Sequence, residues 1–314
     1  MGQGGKAMRL RKARFAGSWY ANDAVVLRTE IDEFLELVQK DLWKPLSHQG
    51  RIPEHHRSAP VKGGMLPHAG LYFSGRGIAH FFHAVGSETE EIVIIAPSHY
   101  VPLIPDTLFC SAHEGFDTPI GTVSGIDLIS RDTQHLLREH NRAVEMEHAV
   151  EMFLPFIARM NETAEVPISV GVLLISDISG KEELETLTDL LVDLLGKERL
   201  SSGKTVLIAS SDYTHYGPRF AYTPFGTQDI PEIERQVEVQ DREIAECFCS
   251  YRFQQLEDIR IQRDSTICGF APGLLVSSVM ERIGSVGMVC DYYNSNHFTG
   301  PDSGFVSYCT ILWR

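Results

Sequence analysis

Three segments of the sequence each carry an apolar run into a histidine. MLPHAG places His68, IIAPSHY places His99, and LIASSDYTHYG places Asp212 and His215. In open α/β sheets, ligands bind beyond the carboxyl ends of the strands, and parallel strands end on the same side. Imidazole is the commonest metal ligand among side chains, and it also titrates near neutral pH. The three segments therefore predict one site for metal binding or proton transfer.

A third metal ligand is expected because two histidines alone hold a metal weakly. TICGFAPG places Cys268 just before a helix start marked by Pro272, where the helix dipole favours the thiolate. A set of His68, His99 and Cys268 suits copper, zinc or iron better than magnesium or calcium. Three protein ligands leave positions open, which is typical of catalytic sites. The ordinary alternatives are a core cysteine and hydrogen-bonded loop histidines.

Two polar residues beside this set have two interpretations each. His215 is either a fourth ligand or a general acid–base group near the metal. Asp212 lies three residues earlier and either orients the imidazole or the ligand water, or caps the next turn. Both interpretations put these residues at the end of the same strand.

Three further residues are candidates for a substrate pocket. EHAVEM places His148 on a helical face where it could reach the site, although a partly buried amphipathic helix explains it equally well. Trp19, in GSWY, either packs under the sheet edge or forms an aromatic wall of the pocket. Tyr100 directly follows His99.

Alternating apolar runs and amphipathic stretches predict an α/β fold with a largely parallel or mixed central sheet and helices on both faces. The predicted strands are Gly63–Leu66, Glu91–Ala96, Thr107–Ser111, Ile168–Leu174, Thr205–Ala209, Met288–Tyr292 and Val306–Leu312. The predicted helices are Asp23–Gln39, Ser74–Val85, Asp127–Glu139, Glu147–Met160, Lys181–Leu195, Pro231–Ser250 and Pro272–Ile283.

The sequence predicts a single domain that follows a short leader. Residues 1–12 are basic and glycine-rich and are predicted to be flexible, and residues 13–314 are predicted to form the α/β domain. The leader lacks the apolar stretch of a secretory signal. The polar segment Gln49–Ser58 is predicted to be a loop.

Composition excludes some classes of partner. A formal net charge of −14 repels phosphate backbones, so nucleic-acid binding is not expected. No apolar run approaches the roughly 18 residues that a membrane-spanning helix needs. The six cysteines include no CxxC pair and predict a reduced, cytoplasmic protein.

Six motifs occur in an order that resembles the Memo family (mediator of cell motility). They are FAGSWY, LPHAG, APSHYVP, EHAVEMFLPF, SSDYTHYG and TICGFAP, and they run from Phe15 to Pro272. Bacterial and archaeal members of this family are often called AmmeMemoRadiSam system protein B. The chain departs from the animal pattern PSHH at Tyr100, and from the animal SSDFCHWG at three positions of SSDYTHYG.

The resemblance implies a fold similar to class III extradiol dioxygenases, which are non-haem Fe(II) enzymes. It implies these metal ligands: His68, His99 and Cys268, the cysteine standing where the dioxygenases use a glutamate. His215 matches the position similar to the dioxygenase catalytic base. Asp212 and His148 match family positions near the pocket. Memo-like proteins are associated with iron or copper and with redox activity.

The first functional hypothesis is a metal-dependent, dioxygenase-like oxidoreductase of unknown substrate that uses Fe(II) or copper. Zinc with water activation is the competing enzyme hypothesis. The alternative class is a non-catalytic module whose cleft binds a peptide or a small anion. A third hypothesis is an accessory protein that works with a radical-SAM partner.

Overall fold

The computed structural model describes residues 8–40 and 59–314. The predicted loop Gln49–Ser58 and the first seven residues of the predicted leader lie outside the described residues. In chain order the strands are β1 (Leu10–Arg11), β2 (Gly63–Leu66), β3 (Glu91–Ala96), β4 (Phe109–Cys110), β5 (Gly115–Asp117), β6 (Thr122–Ser124), β7 (Arg138–Glu139), β8 (Ser169–Leu174), β9 (Thr205–Ser210), β10 (His215–Tyr216), β11 (Gly287–Asn294) and β12 (Phe305–Trp313).

The centre of the main sheet is parallel. Its strands lie in the order β2, β9, β3, β8, and every residue of the first three is buried. Their apolar runs do not alternate with polar residues because both faces of the sheet are covered. These four strands were all predicted from the sequence.

Antiparallel strands extend the sheet on both sides. Next to β2 lies β12, which also pairs with β10 and β11, and next to β8 lies β4, followed by β7. Within the described residues this gives a nine-stranded mixed sheet. The predicted strand Thr107–Ser111 is shorter than expected, since only Phe109–Cys110 pair.

A three-stranded sheet forms from β1, β5 and β6. The predicted flexible leader reached residue 12, but Leu10–Arg11 pair with β5, and the Arg11 side chain is 1% exposed. The prediction is therefore wrong for these residues. Buried hydrogen bonds of the arginine hold them in the fold, and composition alone does not reveal such bonds.

Helices cover both faces of the main sheet. They are α1 (Ala24–Gln39), α2 (Leu71–Ala84), α3 (Leu128–Arg131), α4 (Asn141–Met146), α5 (His148–Glu151), α6 (Leu154–Asn161), α7 (Lys181–Leu195), α8 (Lys197–Ser202), α9 (Ile230–Cys249), α10 (Phe253–Arg263), α11 (Phe270–Arg282) and α12 (Asn296–Thr299). Ile92 of β3 packs in a cluster with α1, α2 and α6, whereas the next residue, Val93, packs with α7, α9 and α11. The predicted α/β layering is confirmed.

Two predicted helices differ from the structure. The helix Asp127–Glu139 ends at Arg131 because the Asp132 carboxylate accepts hydrogen bonds from the backbone of the following turn, at 3.1 and 2.7 Å. The helix Glu147–Met160 is divided into α5 and α6. Pro155 lies in the first turn of α6, where a missing N–H costs nothing.

Among the described residues, no helix combines the length and the apolarity that crossing a membrane requires. All six cysteines are free. Because β2, β3 and β9 are parallel, the loops after them emerge at one edge of the sheet. The candidate site lies at that edge.

Candidate metal centre

Three histidines meet beyond the carboxyl ends of β2 and β3. Each of His68, His99 and His148 offers one ring nitrogen, and these nitrogens all lie within 4.8 Å of one another. The ring centroids are 5.2 Å apart for His68 and His99, 5.3 Å for His68 and His148, and 4.5 Å for His99 and His148. The sheet thus brings together two histidines predicted as ligands, and α5 adds a third.

The tautomer of His68 follows from its neighbours. The Ser210 hydroxyl donates its single proton to the Ala149 carbonyl at 2.6 Å. The same oxygen therefore accepts from His68 Nδ1–H, at 2.7 Å. Burial lowers the pKa of His68 well below its usual value, and the neighbouring histidines lower it further. The imidazole is neutral, with its lone pair on Nε2.

His99 is oriented by a buried carboxylate. Glu147 accepts from the His99 backbone N–H at 2.6 Å, and its other oxygen lies 2.9 Å from His99 Nδ1. Burial alone would raise the pKa of Glu147, but contacts with His148 and His99 lower it below the usual range. The ionised carboxylate only accepts hydrogen bonds, so Nδ1 carries the proton and Nε2 is free. A carboxylate that orients a histidine in this way is typical of metal sites.

His148 is held at the start of α5. Its Nδ1 lies 3.1 Å from Glu147 Oε1, but the geometry is not that of a hydrogen bond. This nitrogen is buried and has no hydrogen-bond partner among the described residues. Buried polar atoms without partners are rare in proteins, and a metal ion is one explanation for them.

Cys268 lies against His68 but outside the group of three histidines. Its sulfur is 3.1 Å from His68 Nε2 and accepts from the Asp212 backbone N–H at 3.2 Å. Burial raises the pKa of the Cys268 thiol well above its usual value, and the Asp212 carboxyl raises it further. The thiolate expected at the start of α11 is therefore disfavoured, since desolvation outweighs the helix dipole.

Asp212 holds the turn that carries His68. One carboxylate oxygen accepts from the backbone N–H groups of His68 at 2.8 Å and Ala69 at 3.3 Å. Burial raises the pKa of Asp212, although the nearby His215 opposes this shift. Its hydrogen bonds favour the turn-capping interpretation, but the turn is the one after β2 and not the next turn along the chain.

His215 presents the nitrogen that a proton acceptor needs. Its Nδ1 lies 3.0 Å from the Tyr213 carbonyl and 3.1 Å from the Thr266 carbonyl. Carbonyls only accept, so Nδ1 carries the proton and Nε2 keeps its lone pair. Because His215 lies outside the group of three, its arrangement favours the acid–base interpretation over the fourth-ligand interpretation.

An aromatic wall, formed by Phe15, Trp19 and Tyr100, lies against His148. Its ring centroids are 5.9, 4.3 and 5.5 Å from the imidazole, respectively. Phe15 stacks on Tyr100 at 6.3 Å, and Tyr100 is 45% exposed. The three predicted pocket residues therefore lie together, with His148 shared between the pocket and the histidine group.

The profile of the family described as "Memo-like protein" matches residues 11–312. The chain belongs to the Memo family. Protein MEMO1 of Danio rerio is 29% identical over 284 residues, covering 87% of this chain and 86% of the relative. A MEMO1 family protein of Thermococcus onnurineus is 26% identical over 317 residues, covering 97% and 99%. Protein MEMO1 of Mus musculus is 27% identical over 281 residues, covering 86% and 84%.

The donors of this Memo-family site fit a transition metal. Two imidazoles carry their lone pairs on Nε2, and that of His68 lies 3.1 Å from the Cys268 sulfur. The third imidazole has a buried nitrogen with no partner among the described residues. Nitrogen and sulfur donors suit iron, copper or zinc, whereas magnesium and calcium prefer oxygen. The site residues thus satisfy the chemical requirement for binding such a metal ion.

Sequence reasoning missed three parts of the Memo-family site. It assigned His148 to the pocket, whereas the structure also places it in the histidine group. The sequence placed Glu147 beside His148, but the ring that Glu147 orients is that of His99, which is remote from it in sequence. Ser210 had no signal, because a serine at a strand end gives no indication of the distant ring that it contacts.

Proposed function

We propose that this Memo-family protein is a dioxygenase-like oxidoreductase that binds one Fe(II) or copper ion. His68, His99 and His148 supply the imidazole ligands, and the Cys268 thiol is the adjacent sulfur donor. The observation that carries this proposal is the approach of three ring nitrogens to within 4.8 Å of one another. Zinc fits the same donors and is the competing ion.

When bound, iron or copper supplies redox chemistry that amino-acid side chains lack. The protein supplies orientation and proton transfer. Ser210 and Glu147 fix the rings of His68 and His99 so that each carries its lone pair on Nε2. His215 Nδ1 donates to two carbonyls, which leaves Nε2 as the proton acceptor of this ring. In the proposed reaction, Nε2 takes a proton from the substrate and returns it.

The proposed fold relationship is to class III extradiol dioxygenases. The site at the carboxyl ends of parallel strands, with one histidine from the loop after β2 and one from the loop after β3, supports this relationship. A cysteine in place of a carboxylate makes the donor set softer and changes its redox potential. A cytoplasmic location is proposed because all six cysteines are free.

Metal content after anaerobic purification tests the proposal. We expect close to one iron or copper per chain in the wild type, and a strong loss in His68→Ala and His99→Ala. His215→Ala should keep the metal but lose ascorbate-supported oxygen consumption. His83→Ala is the matched control, since His83 is an exposed histidine on α2. Equal metal content in all five proteins would refute the assignment.

A binding module is the second candidate, favoured by the exposed part of the aromatic wall. Such a wall suits a peptide side chain or another planar group. Titration of a tyrosine-containing peptide, followed by tryptophan fluorescence, separates the two candidates. A module binds equally well with and without metal, whereas an enzyme whose metal contacts the ligand shows a metal-dependent affinity.

A further inference from the structure

Arg11 is buried and uses every donor of its guanidinium. The side chain is 1% exposed. It donates to these acceptors: Val144 O at 2.9 Å, Lys12 O at 3.3 Å, Glu145 O at 3.4 Å, Glu147 O at 2.9 Å and Glu151 Oε2 at 2.5 Å. Three of these carbonyls belong to the end of α4 and the turn before α5. Arg11 therefore fixes the turn that carries Glu147 and His148.

Glu151, at the end of α5, is the carboxylate partner of Arg11. It is 0% exposed, and each of its oxygens accepts two hydrogen bonds. The donors are Arg11 Nη1 at 2.5 Å and Arg14 N at 3.2 Å to Oε2, and Phe15 N at 2.8 Å and Tyr20 OH at 2.6 Å to Oε1. The carboxylate thus holds the segment that contains two members of the aromatic wall.

Arg11 and Glu151 together link two parts of the site through hydrogen bonds. On one side lies the turn with Glu147 and His148, and on the other lies the segment with Phe15 and Trp19. We propose that the Arg11–Glu151 pair is a positioning unit that sets His148, together with its aromatic covering, against the other two histidines. This inference rests on the proposed function, because it assigns His148 a place in the metal centre.

Stability alone is a weak reason for such a pair. Removing two charges from water is costly, and well-packed apolar residues often stabilise a fold equally well. A guanidinium with five fixed bonds and a carboxylate with four set orientation far more strictly than apolar contacts do. The pair therefore has the features of a geometric constraint on the elements it joins.

Glu151→Gln tests the proposal. Arg11→Lys is a second variant, which keeps the positive charge but loses the planar set of five guanidinium donors. Asp291→Asn is the matched control, since Asp291 forms a buried pair with Arg76 at 2.6 and 2.5 Å and contacts none of the site histidines. Zn(II) is titrated by calorimetry at a temperature where all proteins are folded. We expect the dissociation constant to rise about tenfold in both site variants, and by less than about twofold in Asp291→Asn.

A measurement on metal-free protein keeps this test independent of the proposed function. Labelling with 5-fluorotryptophan gives one fluorine resonance for each of the three tryptophans, and Trp19→Phe assigns the signal of interest. We expect the Trp19 resonance to move in Glu151→Gln and Arg11→Lys but not in Asp291→Asn. If only the melting temperature falls, with the Trp19 resonance unchanged, the pair merely stabilises the fold and the inference is overturned. If wild-type protein binds neither Zn(II) nor Fe(II) nor copper, the metal-binding part of the proposed function fails, while the fluorine spectra still decide the positioning role.

Discussion

His68 and His99 both donate their Nδ1 proton to a fixed acceptor, one to a hydroxyl and one to a carboxylate. A neutral imidazole carries one proton, so both rings keep Nε2 as an acceptor. Neither acceptor is a metal ligand in the proposed set. The chemistry of this site therefore depends on Ser210 and Glu147 as much as on the rings they orient.

Replacing Glu147 should weaken metal binding without removing a ligand. In the wild type, the Glu147 carboxylate accepts hydrogen bonds from His99 Nδ1 and from the Ala149 backbone N–H. Glu147→Gln replaces it with a neutral amide, which is a weaker acceptor, so the His99 imidazole is held less firmly. Loss of such a partner typically costs about 10–100-fold in affinity. Zn(II) calorimetry measures the change. Glu145→Gln, an exposed neighbour, is the control, and equal affinities for both variants would contradict the orienting role.

Sequence reasoning at this scale identified residues better than their roles. It found His68 and His99 because strand ends and histidines are visible in one dimension. It could not find the tautomers, since these depend on Ser210 and Glu147, which are remote in sequence from the rings they contact. The burial of the Cys268 sulfur, which raises the pKa of its thiol, cannot be read from a helix-start signal.

At the scale of elements, a buried carboxylate joins α9 to the antiparallel side of the sheet. Asp241 is 0% exposed and accepts from Thr214 at 2.6 Å, from Tyr292 at 2.9 Å and from the Ser307 hydroxyl. Thr214 precedes β10, and the other two residues lie on β11 and β12. Burial raises the pKa of Asp241 to about 6, although the hydroxyl donors partly oppose it.

This shift predicts a pH-dependent contribution to stability. The folded-state pKa lies above the ordinary value of 3.8, so the folded protein binds more protons between pH 4 and about 6. The free energy of unfolding that depends on Asp241 therefore decreases as the pH rises through this window, by about 3 kcal/mol in total. Urea unfolding of wild type and Asp241→Asn at pH 4 and pH 7 gives this difference. An advantage of the wild type that stays constant or grows with pH would contradict the prediction.

The parallel strands were predictable because apolar runs such as residues 92–95 and 206–208 do not alternate with polar residues. The convergence of the loops after these strands followed from their shared strand ends. The short strands β5, β6 and β10 were not predictable, since two or three residues carry too little pattern. The predicted helix Asp127–Glu139 is too long because the Asp132 carboxylate accepts hydrogen bonds from the backbone of the next turn. An aspartate is also common on helix surfaces, so its presence in the sequence does not reveal this helix end.

At the scale of the whole molecule, a metal that binds only the folded state should raise the melting temperature. At a Zn(II) concentration 100 times the dissociation constant, the free energy of unfolding increases by about 2.7 kcal/mol. For a chain of this length we expect a rise of about 3–5 °C in calorimetric scans. His68→Ala should show no rise, and His83→Ala should respond like the wild type. A similar rise in His68→Ala would indicate binding elsewhere on this acidic protein.

X-ray absorption at the metal edge of the loaded protein examines the ligand set most directly. We expect imidazole nitrogens at about 2.0–2.1 Å and one sulfur at about 2.3 Å, using Zn(II) as the reference ion. His148→Ala should remove one imidazole from the spectrum, and Cys268→Ser should remove the sulfur. A shell of oxygen atoms alone, or spectra that neither substitution changes, would contradict a metal ion held by these histidines and this thiol.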